Sequence, residues 1–324
     1  MSPPSFPHTP TQGPSSRARA SHGSDLGKLK FVFVTGKGGV GKTTVCAALA
    51  MKLASEGKRV LVAMCNAKER LSTLFGTAPI GPAIASVAPR VWAVNMSPEK
   101  ALEEYGMLML KSRAVYNVLF GNEYVKSFFA AIPGMHEWTM LGKAWWHTTE
   151  TMPDGSPKYD VVLLDAPATG HGLDMLRVPK VLIDVVPSGL LRRDAERAWE
   201  MFQDAKQTGI VLVTLPEEMP TTESIEMSRA LTGELGLHIA RVVVNGHLPT
   251  LFTAEEGMRL EAIAPETPLL PLLRASAHRA RRERVQSDAL ARIRAELAFE
   301  TRILPFLFDT PTRPADLQKL AEHL

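Results

Sequence analysis

Residues 35–44, TGKGGVGKTT, hold four glycines and two lysines in a run suited to phosphate chemistry. Residues 36–43 fit G-x-x-x-x-G-K-[ST]: Gly36, then Lys37, Gly38, Gly39 and Val40, then Gly41, Lys42 and Thr43. Glycines let backbone N–H groups turn inward around phosphate oxygens. A helix opening there aims its positive dipole end at the same oxygens. Lys42 is placed to reach the β- and γ-phosphates, and Thr43 to give its hydroxyl to Mg²⁺. Thr44 continues the helix start. Such a loop needs one lysine, and Lys37 is a second.

The stretch VVLLDAP (161–167) supplies a carboxylate. An apolar run ending in Asp165 puts that acid at the C-terminal edge of a strand, beside the loop. This is the position from which an aspartate holds Mg²⁺, usually through water.

The elements around these residues alternate. KLKFVFVTG (28–36) reads as a strand running into glycine. TTVCAALAMKLASEG (43–57) reads as a helix, with Cys46, Leu49, Ala50 and Leu53 on one face and Gly57 closing it. RVLVAM (59–64) is a second strand, completing a parallel βαβ unit. Further strands are expected at 90–96, 159–167, 209–216, 240–246 and 267–273. Several are near-continuous apolar runs, as in strands covered on both faces. Ser97-Pro98 and Thr253 with Glu256 mark helix starts. The fold class that follows is α/β: a doubly wound, mostly parallel sheet of the phosphate-loop type, with a helical insertion.

The expected organisation is a disordered tail at 1–27 and a single domain at 28–324. That domain holds a helical insertion at 98–152 and a C-terminal helical segment at 274–324. The tail is rich in Pro and Ser and has too few large apolar side chains to offset chain entropy. Arg17 and Arg19 would suit a transit peptide, yet no apolar segment of a secretory signal accompanies them.

Composition excludes several classes. The chain has 324 residues, 45% of them hydrophobic, and a net charge of +3, too weak to argue for nucleic acid. Cys46 and Cys65 are the two cysteines, with no C-x-x-C, which fits a reducing cytoplasm better than a disulfide or zinc framework. No apolar run of about 18 residues exists to span a membrane.

GKGGVGKTT (36–44) and DAPATGHGLDMLRVP (165–179) resemble the deviant Walker A loop and the switch II stretch of the ArsA/Get-type ATPases. VVVNGHLP (242–249) and TPLLPLL (267–273) resemble later strands of that family. The family includes the arsenite-pump ATPase and the factor that targets tail-anchored membrane proteins. The resemblance implies an ATP- and Mg²⁺-dependent dimeric ATPase. It makes Lys37 the signature lysine, which reaches across a dimer interface to the partner's nucleotide, as an arginine finger does in trans. It makes Asn245 the reader of adenine and places the stretch around Leu270 and Pro271 against the base. Gly170 becomes a switch II glycine facing the γ-phosphate, with His171 next to it as a phosphate sensor or a packing residue.

Departures from the family are also legible. The switch I aspartate that orients the attacking water falls, in a gap-free alignment, on Asn66. An amide can hydrogen-bond that water but does not take its proton. Glu69, three residues on, substitutes for it if the loop is shifted. Cys46 and Cys65 do not form the three-thiolate cluster of a metalloid site. They read more simply as buried small hydrophobes.

The insertion is rich in Met and Trp (Met107, Met109, Met135, Met140, Met152, Trp138, Trp145, Trp146) and contains Phe128 and Phe129. Such helices serve either as an adaptable groove for a hydrophobic client or membrane protein, or as core. Arg274, Arg279, Arg281, Arg282 and Arg284 make a basic helix whose interleaved glutamates suit a solvated face.

Three readings follow. One is a Mg²⁺-dependent ATPase switch, as a homodimer or a heterodimer with a related ATPase. The second is a catalytically weak ATP-binding scaffold, slowed by Asn66. The third is the ATPase subunit of an arsenite-type anion pump.

Overall fold

The computed structural model describes residues 25–65, 67–110, 132–167, 171–262, 270–308 and 314–324. Strand β1 (Phe31–Thr35) is buried at every position, as its unbroken apolar run requires. Helix α1 (Lys42–Ser55) follows the glycine loop and returns the chain to β2 (Val60–Cys65). Cys46, Leu49, Ala50 and Leu53 all face the core, and Gly57 turns the chain out of the helix with φ 87°.

Helix α2 (Leu71–Phe75), β3 (Ala85–Ala88), β4 (Val91–Met96), α3 (Pro98–Leu110) and α4 (Met135–Trp146) come next. Then follow β5 (Val161–Asp165), α5 (His171–Val185), α6 (Leu190–Gln203), β6 (Thr208–Thr214) and α7 (Glu218–Arg229). The chain ends through β7 (Ile239–His247), α8 (Ala254–Glu261), α9 (Leu270–Glu296), β8 (Thr301–Pro305) and α10 (Pro314–Ala321). Both helix-start signals operate. Ser97 Oγ accepts the Lys100 N–H at 3.4 Å, and Thr253 with Glu256 forms a reciprocal capping box.

The strands form one eight-stranded sheet in the order β3-β4-β2-β5-β1-β6-β7-β8. All neighbours are parallel except β3 and β4. Side chains alternate between two cores. Phe31 and Phe33 point to the face covered by α4, α5, α6 and α9, and Val32 and Val34 to the face covered by α1, α2 and α10. The doubly wound, mostly parallel sheet is therefore the observed architecture. Its order turns at β1 and β5, whose C-terminal ends carry the glycine loop and Asp165.

Three expectations need correction. Leu26 and Gly27, assigned to the tail, are buried in a 3₁₀ turn (Leu26–Lys28) capped by Asp25. The run 267–273 is not a strand where it is described: Leu270–Leu273 begin α9, with Pro271 in the first turn, where its missing N–H costs nothing. The C-terminal segment 274–324 is not wholly helical, because β8 pairs with β7 and extends the sheet. Of the Met/Trp-rich insertion, Met135, Trp138, Met140 and Trp145 are core, whereas Met152 is exposed. Phe128 and Phe129 lie outside the described residues, and the side chain of Met109 is likewise not described. Among the described residues no helix is long and apolar enough to cross a membrane.

Candidate nucleotide-binding site

The loop Gly36–Gly41 joins β1 to α1 at the top of the sheet. Glycine is required at both of its ends. A Cβ on Gly36 would lie 2.1 Å from the Val213 carbonyl oxygen, and one on Gly41 would lie 2.3 Å from Asn245 Nδ2. Gly41 also holds φ 91° as the residue that starts α1. The loop thus packs against the C-terminal ends of β6 and β7.

Lys42 is buried, and its Nζ donates to the carbonyls of Gly36 (3.1 Å) and Lys37 (3.0 Å). The ammonium is folded back under the loop, where phosphate oxygens would be cradled. Burial pushes its pKa down, and the nearby Asp165 charge pulls the other way.

Asp165 neighbours Val34 of β1 and Met64 of β2 in the sheet register. Its Oδ2 accepts the Thr43 hydroxyl at 2.6 Å. Its Oδ1 is buried and has no hydrogen-bond partner. Burial pushes the carboxyl up to about 6, against the opposing effects of the Thr43 bond and the Lys42 charge. A hard-oxygen pair, one hydroxyl and one carboxylate with an oxygen to spare, fits a Mg²⁺ site completed by phosphate and water.

Lys37 forms an ion pair with Glu223 of α7 in the same chain. Sequence reasoning missed Glu223, which no local motif marks. Asn245, near the end of β7, donates through Nδ2 to the Val40 carbonyl at 2.9 Å. Beyond it lies a cavity of about 310 Å³ lined by Val40, Thr44, Leu215, Pro216, Asn245 and Phe306, among others. Leu215 and Phe306 converge there: a Cβ on Gly246 would lie 3.6 Å from the first and 3.7 Å from the second. The guanidinium of Arg282 sits 5.7 Å from the Phe306 ring centroid. Among the described residues, the apolar wall comes from Leu215 and Pro216 after β6 and from Phe306 and Leu307 after β8. The signal was present in RILPFLF (302–308), an apolar strand-like run inside a segment read as helical.

The structure brings Gly36, Lys37, Gly38, Gly39, Val40, Gly41, Lys42, Thr43, Thr44, Asp165 and Asn245 to one end of the sheet. Asn66 and Gly170 lie outside the described residues. His171 opens α5, and its side chain is not described. Glu69 is turned to Ser72, whose N–H and hydroxyl it accepts at 2.7 and 2.6 Å. Cys46 and Cys65 are both buried, and burial, then the Asp165 charge, pushes both thiols up.

The sequence profile described as Anion-transporting ATPase matches residues 29–188. The chain is 29% identical over 231 residues to ATPase BagA of Mycobacterium tuberculosis, covering 70% of this chain and 67% of that one. It is 28% identical over 246 residues to the arsenical pump-driving ATPase of Escherichia coli, covering 70% and 41%. It is 31% identical over 177 residues to ATPase GET3 of Komagataella phaffii, covering 52% and 49%.

Proposed function

The chain belongs to the ArsA/Get-type family of anion-transporting ATPases, and on that footing we propose that it is a Mg²⁺-dependent ATP-hydrolysing switch working as a dimer. The observation that carries this reading is the Thr43–Asp165 hydrogen bond under the glycine loop, with the second Asp165 oxygen buried and unpartnered. Thr43 and Asp165 would hold Mg²⁺, which supplies charge neutralisation on the β- and γ-phosphates.

Lys42 leaves its two carbonyl partners to meet the triphosphate, and the Gly36–Thr44 backbone wraps it. Asn245 Oδ1 faces the base. Lys37 acts in trans on the partner's nucleotide, and Gly170 with His171 relays the phosphate state. The partner is a second copy or a related ATPase, and the compartment is the cytoplasm. A hydrophobic or membrane-linked client rests on the family resemblance alone, since Met135, Trp138, Met140 and Trp145 of α4 are core and Trp146 packs half-buried against it.

The anion-pump reading is less favoured. Thiols buried at Cys46 and Cys65 and held protonated make poor ligands for a soft metalloid. A weak ATP-binding scaffold remains the second reading, motivated by Asn66.

Calorimetry with MgATP tests the assignment. Lys42→Ala should bind at least about 100-fold more weakly, a loss of roughly 3 kcal/mol. Unchanged affinity would overturn the site. Turnover measured with and without antimonite separates the switch from the pump.

A further inference from the structure

The base cavity presents polar atoms of fixed kind. Asn245 donates one N–H of its amide to the Val40 carbonyl at 2.9 Å, which fixes the amide orientation and leaves Oδ1 as an acceptor. Gln286 of α9 lines the same cavity and is arranged the opposite way. Its Oε1 accepts the backbone N–H of Leu248 at 2.9 Å. A backbone N–H can only donate, so the amide orientation is settled by chemistry. What Gln286 has left to offer is its NH₂, a donor, on a side chain only 3% exposed.

One cavity thus holds an acceptor from β7 and a donor from α9. Adenine carries the complementary pair: a 6-amino donor flanked by ring nitrogens N1 and N7, which accept. We infer that Gln286 determines base specificity, donating from Nε2 to an adenine ring nitrogen beside the amino group that Asn245 Oδ1 accepts. This rests on the nucleotide reading above. Phe306 and Leu215 supply apolar surface for the ring faces, so the two amides read its edge. The loss of one such hydrogen bond to a buried group is worth about tenfold in affinity.

The test uses the full-length protein, calorimetry, and ATP beside 7-deaza-ATP, 1-deaza-ATP and GTP. Gln286→Glu keeps the acceptor for Leu248 and removes the donor. Wild type should bind one deaza analogue about tenfold more weakly than ATP, and which one identifies the nitrogen. Gln286→Glu should bind ATP more weakly, show no further loss with that analogue, and discriminate less against GTP. The inference is overturned if wild type binds both deaza analogues as well as ATP. It is equally overturned if the variant keeps the full analogue penalty, because another group then reads the nitrogen. In either case the ATP assignment stands. Failure of wild type to bind ATP at all overturns that assignment and this inference together. Where Gln286→Glu does not fold, Gln286→Met, which also lacks the donor, takes its place with the same expected and overturning results.

Discussion

Lys37 and Glu223 form an ion pair within one chain, between the glycine loop and α7, with the lysine side chain 42% exposed and the glutamate 28%. A lysine so engaged cannot at the same time reach another subunit's phosphates. The trans role proposed for Lys37 therefore requires it to exchange Glu223 for phosphate. Partly exposed pairs are worth only about 0–1 kcal/mol, so the exchange is cheap. Glu223 acts as a resting partner rather than a lock.

Glu223→Gln should accordingly strengthen ATP-dependent dimerisation by up to about fivefold. Lys37→Ala should leave monomer ATP binding intact while lowering dimerisation and turnover. Sedimentation with and without MgATP reads the first, and steady-state hydrolysis the second. Mixing Lys37→Ala with Asp165→Ala protein tests action across the interface. Full turnover by Lys37→Ala alone would end the trans assignment.

Asp165 makes a prediction about pH. In the protein without metal or nucleotide, burial lifts its carboxyl from an ordinary 3.8 to about 6. The unfolded chain ionises that group near 4. Between about pH 4 and 6 the folded state therefore holds more protons than the unfolded one, and stability falls as pH rises. Above about pH 6 the penalty is complete, at most about 3 kcal/mol. Asp165→Asn removes it, and the amide oxygen still accepts the Thr43 hydroxyl. The variant should melt about 2–6 °C above wild type at pH 8, with the gap closing toward pH 4. MgATP should reverse the order, stabilising only wild type. A gap that widens in acid would contradict the assigned shift.

How much of this was legible follows from sequence distance. The glycine loop, Lys42, Thr43 and the carboxylate at the end of β5 are local signals within single elements, so their spacing placed them. Apolar strands that run without alternation gave β1, β2 and β6, because helices cover both sheet faces. The same signal misplaced the strand at 267–273. Periodicity does not separate a short buried strand from a helix's first turn, and Pro271 is compatible with the latter. Strand β8 was hidden behind a 27-residue charged helix. Glu223 and Gln286 were beyond reach for another reason. Glu223 meets a lysine 186 residues away, and Gln286 enters the cavity only after α9 folds back over β7. Three-dimensional pairing creates their roles, and no spacing rule encodes it.

The final prediction concerns the water-positioning residue of switch I. Glu69 is not poised for it in this structure: Oε1 accepts the Ser72 N–H at 2.7 Å and Oε2 the Ser72 hydroxyl at 2.6 Å. Those bonds tie its carboxylate to the first turn of α2. The family resemblance places Asn66 at the position instead. Wild-type turnover should then be slow, and Asn66→Asp should raise it about tenfold, which takes about 1.4 kcal/mol of transition-state stabilisation. The new carboxylate would orient the attacking water and accept its proton. ATP affinity should hardly change. Glu69→Gln should leave turnover within about twofold but lower the melting temperature slightly, since a weakened helix start costs about 1 kcal/mol. Single-turnover hydrolysis of both variants decides. A neutral Asn66→Asp together with an inactive Glu69→Gln would mean that the loop rearranges in the closed dimer, releases Glu69 from Ser72 and brings it to the water.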